Sequence, residues 1–351
     1  MKKFLTYRLI LFCVVLLSSI LYLLLLKSDT IPGFANNADG NTSQNDEDLS
    51  GDEKPSDPDS DTSTDLHTEP ENTLTPTPTI PPNLPADTLN VRGALISLGD
   101  SKKSVIKQLG HPGRIDETEY DFDYYVYNND YNKLVYIAIK SGKVMGFYTD
   151  SLDFYFHGIS SGTTLDTIND ELTKNYSLNS VLIYETDSYT LKILLDTLET
   201  KTTVGIYVLS HHVKEDAYTD SVKRNVELMV YDLTNSARVR SGAPVLSWSS
   251  SVAVAARRHS TDMAAKGFFD HMNQSWETPS DRLMDEGVLC NTVGENLIGG
   301  YGTAILSNHG WFISKDHRKN MLSKNFRYLG VGFEFNKESN YKTYITQNYY
   351  R

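Results

Sequence analysis

From about residue 219 onward, the apolar positions fall into helical spacing. Val222, Val226, Met229, Val230, Leu233 and Ala237 recur at three- and four-residue steps, which puts them on one face of a helix over 219–240. Gly242 and Pro244 stop that helix. Ser249 can cap a second helix in which Val252, Ala255, Ala256, His259 and Met263 share a face, and Gly267 ends it. Thr278, Pro279 and Asp281 open a third helix as N-cap, first position and capping-box partner. A fourth runs over about 303–314 through Trp311, and Asp316 is placed to cap a short helix in HRKNML. The chain closes in two strand-like stretches, YLGVGFEFN and YKTYITQNYY, joined by an NKESN turn. Helices first and a hairpin last predict α+β layering.

The stretch 90–212 has a different rhythm. YDFDYYVYNN, KLVYIAIKSG and KVMGFYTD alternate as strands do and are rich in Tyr, Val and Ile. There is also an internal echo. ISLGDSKKSVIKQLG (96–110) is repeated as ISSGTTLDTINDELT (159–173), with Gly99, Val105 and Leu109 matching Gly162, Ile168 and Leu172 at a constant offset of 63. KVMGFYTD (143–150) is likewise echoed by TVGIYVLS (203–210). Two repeats of a glycine turn, a short helix and strands predict one α+β domain. It holds many tyrosines but no cluster of His, Cys or paired acids, which makes it a packing or binding module.

Upstream of both lies a chain of another kind. Leu9–Leu26 carries no charge and only two serines, and as a helix it would span about 27 Å, close to the hydrocarbon thickness of a bilayer. The basic flank MKKFLTYR predicts an uncleaved single-pass anchor over 1–27 with its N-terminus cytoplasmic and everything downstream outside. The run is longer than the apolar core of a signal peptide, and SDTIPGF offers no small-x-small cleavage site. Residues 28–89 are rich in Asp, Asn, Ser, Thr and Pro, which predicts a disordered acidic linker with a root-mean-square reach of about 45 Å.

Charge fits this division. The linker carries fourteen Asp and Glu against Lys54, so most of the net charge of −12 is concentrated there and the remainder of the chain is nearly balanced. No basic footprint for nucleic acid is present. The two cysteines, Cys13 in the apolar run and Cys290 near the C-terminus, form no intrachain disulfide framework.

The candidate chemistry sits in the last third, where His271, Glu295 and His317 stand in GFFDHM, VGENLIGG and WFISKDHRKNML. Imidazole and carboxylate bind metals or move protons near neutral pH. His271 and His317 can ligate a divalent cation such as zinc, with Glu295 as a further ligand or as base for bound water. The H-E-x-x-H signature of zinc proteases is missing. In the structural alternative, Glu295 hydrogen-bonds backbone amides and the two histidines anchor loops. His259 lies on an apolar helix face and reads as a core histidine, His309 as an exposed or helix-boundary residue, and the glycines of GENLIGGYG as a cleft rim. Cys290 and Ser314 lack nucleophile motifs.

The order NSARVRSGAPVLSW, AARRHSTDMAAKGFFDHM, TPSDRLMDEG, GENLIGGYG, W-x-x-SKDHRKNML, YLGVGFEF over 219–351 resembles the bacterial branch of the CAP superfamily (cysteine-rich secretory, antigen 5 and pathogenesis-related 1 proteins). The LGD…LGHPGRIDETEYDFDYYVYNNDY…GFYT pattern of 90–212 resembles the CAP-associated domain that precedes many of them. The resemblance implies an α-β-α sandwich with His271, Glu295 and His317 converging in a cleft. It also implies a second glutamate in a W-x-x-E context, where Trp311 is here followed by Phe312, Ile313 and Ser314. The loss of that acid favours a non-enzymatic binding protein, taking an envelope or extracellular lipid, glycan or protein, over a metal-assisted hydrolase of an extracellular or wall-associated substrate.

Overall fold

The alternating stretches of 90–212 pair into one sheet. The computed structural model describes residues 84–351 apart from 86, 173, 174 and 179. The first repeat runs β1 (Thr88–Val91), β2 (Ala94–Ser97), α1 (Lys102–Leu109), β3 (Arg114–Glu117), β4 (Asp123–Tyr127), β5 (Val135–Lys140) and β6 (Lys143–Thr149). The second runs β7 (Tyr155–Phe156), β8 (Ile159–Ser160), α2 (Leu165–Glu171), β9 (Asn175–Leu178), β10 (Val181–Glu185), β11 (Tyr189–Leu195) and β12 (Thr203–Ser210). Their last strands pair antiparallel, so the eight-stranded sheet has the order β3-β4-β5-β6-β12-β11-β10-β9. The sequence echo is structural: Ser101 and Thr164 cap the two helices. Gly99 and Gly162 turn the chain before them at φ +83° and +84°, a region that glycine enters without steric cost.

The C-terminal part is a sandwich. Its elements are α3 (Asp220–Arg240), β13 (Ser247–Trp248), α4 (Ser250–Lys266), α5 (Pro279–Asp285), β14 (Val293–Gly299), α6 (Ala304–Phe312), α7 (Lys315–Leu322), β15 (Tyr328–Phe335) and β16 (Thr343–Tyr350). The sheet order is β13-β15-β16-β14, which leaves β14 at an edge. Side chains alternate across it. Leu329, Val331, Phe333, Ile345 and Tyr349 pack with α3 and α6 on one face. On the other, α4 lies so close that a Cβ on Gly330 or Gly332 would come within 2.3 Å or 2.0 Å of its backbone nitrogens. The two glycines of YLGVGFEF are therefore a packing requirement. The caps at Ser249, Gly267 and Thr278 form as the sequence predicts, including the Thr278–Asp281 capping box.

Three local expectations are corrected. VGENLIG is a strand, not only a glycine-shaped rim. Asp316 lies inside α7, whose N-cap is Ser314; the Ser314 hydroxyl gives the helix no cap bond and instead meets His317. His309 is buried, not exposed, and meets Ser180 Oγ at 2.9 Å and the Ser180 carbonyl at 3.3 Å.

Helix α3 joins the two sheets. Phe122, Tyr124, Val126, Leu134, Tyr136 and Ala138 of the large sheet share one core cluster with Val226, Met229, Val230 and Leu233 of α3. The intervening residues, Tyr125, Tyr127, Val135 and Ile137, pack in a second cluster on the far face. Both faces of the tyrosine-rich sheet are thus covered. At the joint, Asp232 is buried and accepts bonds from Arg114 Nη2 (2.9 Å), Asn128 Nδ2 (3.0 Å), Tyr131 Oη (2.9 Å) and Tyr136 Oη (3.0 Å). No helix among the described residues is long and apolar enough to cross a membrane. The run Leu9–Leu26 and the linker up to residue 83 lie outside those residues.

The buried His309 makes this joint sensitive to acid. Burial pushes its imidazole down to about 4, against the Ser180 bond and the Asp196 charge, with Arg240 adding to the depression. In the unfolded chain it titrates near 6.5. As pH falls from 6.5 toward 4 the unfolded chain takes up a proton that the folded chain refuses, so stability falls with pH across that window. Between pH 7 and pH 5 the native protein should lose about 2 kcal/mol more than His309→Gln. Urea midpoints at the two pH values measure this; equal losses would contradict it.

Candidate functional site

His271 lies in the loop that leaves α4 at its left-handed cap, Gly267. Two buried side chains hold the loop by its carbonyls. His259 of α4 donates from Nε2 to the Asp270 carbonyl (2.9 Å), and Arg282 of α5 donates from Nη1 to the carbonyls of His271 and Glu277 (2.9 Å each). The His271 ring is thereby set against the edge strand β14. Its Nδ1 donates to Glu295 Oε1 at 2.9 Å, while Arg282 Nη2 donates to Glu295 Oε2 at 2.6 Å. Both carboxylate oxygens are engaged. The Glu295 side chain is 2% exposed and that of His271 is 56% exposed, so the imidazole is the part of this pair that meets solvent.

Glu295 and Asn296 are successive on β14 and point to opposite faces of the sheet. Asn296 Nδ2 donates to the His317 carbonyl (3.1 Å) and to Gln347 Oε1 (3.2 Å), and its Oδ1 accepts from Asn320 (3.0 Å). Gly294 admits the Phe326 ring, which follows α7: a Cβ there would lie 2.6 Å from it. His317 Nδ1 pairs with Ser314 Oγ at 2.8 Å. Burial lowers the His317 pKa and the neighbouring His271 lowers it further, which keeps the ring neutral at pH 7. The structure therefore joins His271 to Glu295 directly. His317 comes within electrostatic reach of His271, but its ring bonds Ser314 and its backbone bonds Asn296.

Sequence reasoning missed Arg282, the second partner of Glu295, because an arginine inside a helix looks like a surface residue. It also missed Asn348, which pairs in register with Glu295, is fully buried, and has no hydrogen-bond partner for either amide atom. Among the described residues, no group of three or more His, Cys, Asp or Glu is arranged to hold a metal ion. With Glu295 committed to His271 and Arg282, the side chains as they stand do not make up a zinc ligand set. Burial raises the Cys290 thiol above its ordinary value, which works against a nucleophilic role.

Residues 231–349 match the cysteine-rich secretory protein family (CAP), and residues 98–218 match the CAP-associated N-terminal family. The chain carries a CAP domain preceded by a CAP-associated domain. The CAP-associated match covers the two-repeat sheet, and the CAP match covers the sandwich from within α3 to β16. An uncharacterised membrane protein of Bacillus subtilis strain 168, YlbC, is 26% identical over 294 residues, covering 73% of this chain and 83% of that protein. A second protein of that strain, the uncharacterised YkwD, is 36% identical over 107 residues, covering 30% of this chain and 42% of that protein. Among solved structures, an extracellular protein containing a SCP domain from Bacillus anthracis strain Ames superposes with a TM-score of 0.63 at 23% identity, covering 72% of this chain and 93% of that one. A cysteine-rich secretory protein from Staphylococcus aureus Mu50 gives 0.55 at 14% identity over the same shares. Both likenesses concern the fold.

Within the CAP pattern, Ser314 stands where the resemblance implies the second glutamate, and its hydroxyl holds the His317 ring. Neutralising the remaining acid should cost stability. In Glu295→Gln the buried Arg282 loses its counter-charge, and we expect a loss of about 3 kcal/mol. His271→Ala should cost about 1 kcal/mol or less, since that contact is half exposed. Urea unfolding of both variants checks the order; a larger loss in His271→Ala would contradict it.

Proposed function

We propose that this chain is a membrane-anchored, outward-facing protein that binds an envelope or extracellular lipid, glycan or protein at the His271–Glu295–His317 site. Its parts are an anchor over 1–27, an acidic stalk over 28–89 whose last two residues already enter β1, a CAP-associated domain over 90–212 and a CAP domain over 219–351. The names of two relatives agree with this setting: one is a membrane protein and the other an extracellular protein. The observation that carries binding over catalysis is the state of Glu295. A general base must reach the proton it abstracts, and here the Glu295 side chain is 2% exposed and bonded on both oxygens by His271 and Arg282. The exposed edge of His271 and the neutral His317 remain as contacts for a ligand. The competing reading is a metal-assisted hydrolase, with His271 and His317 on the metal and Glu295 as base; it requires Glu295 to leave Arg282.

Two measurements on the full chain in detergent decide between them. Native mass spectrometry of protein extracted from its envelope should show a retained ligand that is lost in His271→Ala. Zinc titration by calorimetry should show no micromolar site. Zinc binding at micromolar affinity or tighter that vanishes in both His271→Ala and His317→Ala would overturn the binding reading in favour of the hydrolase. A ligand retained equally by native protein and His271→Ala would remove this site as its seat.

A further inference from the structure

The two repeats of the CAP-associated domain match in shape but not in charge. At the 63-residue offset that aligns them, buried Val105 of α1 falls on buried Ile168 of α2, and the cap Ser101 falls on the cap Thr164. The outward positions change sign. Lys103 falls on Asp166 and Lys107 on Asp170. One helix thus carries a lysine pair where the other carries an aspartate pair, and a four-residue spacing puts both members of each pair on one helix face.

All four side chains are exposed, and among the described residues none of the four forms an ion pair, so α1 and α2 do not neutralise each other within the chain. Neighbouring charges strengthen the contrast. Lys102 and Lys143 add to the basic face, Lys143 through its bridge to Ser101, and Glu171 adds to the acidic one. Asp100 beside α1, and Lys201 beside the Thr202–Thr164 bridge at α2, lessen these charges without reversing them. Each face also has an exposed leucine to cover. Leu95 is 37% exposed and is held against α1 by Gln108, which accepts from its amide (2.9 Å) and donates to its carbonyl (2.8 Å). Leu165, in the first turn of α2, is 38% exposed.

Through Val105 and Ile168 both helices pack in the cluster on the side of the large sheet away from α3. Their outer faces are turned from the CAP sandwich and from the His271–Glu295 site. A patch and its complement at two different places on one molecule make a heterologous contact, in which each end of a pair keeps a free patch for a further copy.

We propose that copies of this chain associate head to tail, the basic face of α1 on one docked against the acidic face of α2 on the next. Lys103 and Lys107 meet Asp166 and Asp170 across the contact, and Leu95 and Leu165 are covered by it. Exposed ion pairs are individually weak and screened by salt, so the association is modest and responds to ionic strength.

The test is sedimentation velocity of the full chain in a non-ionic detergent over a series of protein concentrations. In low salt the mass should rise with concentration. In about 1 M salt, where the Debye length is about 3 Å, it should return to that of the monomer. Lys103→Glu with Lys107→Glu makes both faces acidic, and Asp166→Lys with Asp170→Lys makes both basic. Each double variant alone should self-associate at least about tenfold more weakly than the native chain, because like charges then face each other. An equimolar mixture of the two should associate again, which an unfolded variant could not do. Three results would each overturn the proposal: a native chain that stays monomeric in low salt at every concentration, a mixture that stays monomeric, or unchanged association in Asp166→Lys with Asp170→Lys. The last would leave the lysines of α1 to another anion, such as a phospholipid headgroup.

Discussion

A single carboxylate, Asp232, sits buried at the middle of α3 with a sheet on either side of that helix. Burying an ion unpaired would cost several kcal/mol, and removing a partner from such a site costs about 3–5 kcal/mol. Here Arg114 and Tyr136 of the large sheet, and Asn128 and Tyr131 of its β4–β5 connection, all point at it. The arrangement exists only when α3, which begins the CAP sandwich, lies across the CAP-associated repeats. Hydrophobic contact along the same helix is non-directional. The carboxylate and its four donors fix the rotation and register of α3 on the sheet.

From that fixed helix the architecture reaches the candidate site by two routes. Two residues after Asp232, Thr234 accepts from Gln347 Nε2 (2.8 Å), Gln347 accepts from Asn296, and Asn296 holds the backbone of His317. The second route runs through α7. Asp196 at the end of β11 takes both arms of Arg318, the residue after His317, at 2.8 and 3.0 Å, and the guanidinium lies over the Phe312 ring at 4.1 Å. Burial works to raise the Asp196 carboxyl, but the Arg318 bonds and charge outweigh it and hold the group below its ordinary value. The CAP-associated domain thus braces the helix that carries one of the two site histidines.

Much of this was legible in the chain. The caps at Ser249, Gly267 and Thr278 could be read because they depend on neighbours three or four residues away. The 63-residue echo could be read because a repeat writes its pattern twice. What could not be read depends on long-range contact. Tyrosine alternation in 120–148 read as strands, but what covers them did not: both faces are buried, and the Tyr131 and Tyr136 hydroxyls serve Asp232. His309 looked exposed because its partner, Ser180, lies 129 residues away. The site was half legible. The motifs located His271, Glu295 and His317, while Arg282, which locks Glu295, and Ser314, which occupies His317, could be assigned only from coordinates. The strand VGENLIG was masked by its glycines, one of which is there to admit Phe326.

The central claim is that α3 and Asp232 make the CAP-associated repeats and the CAP sandwich one cooperative body. Hydrogen exchange under increasing urea, read by mass spectrometry on peptides from 90–212 and from 219–351, tests it most directly. In the native protein both sets should lose protection at one shared urea concentration, and in Asp232→Ala the two should separate. Native peptides from 219–351 that stay protected after those from 90–212 have exchanged would show two independent domains and contradict the account.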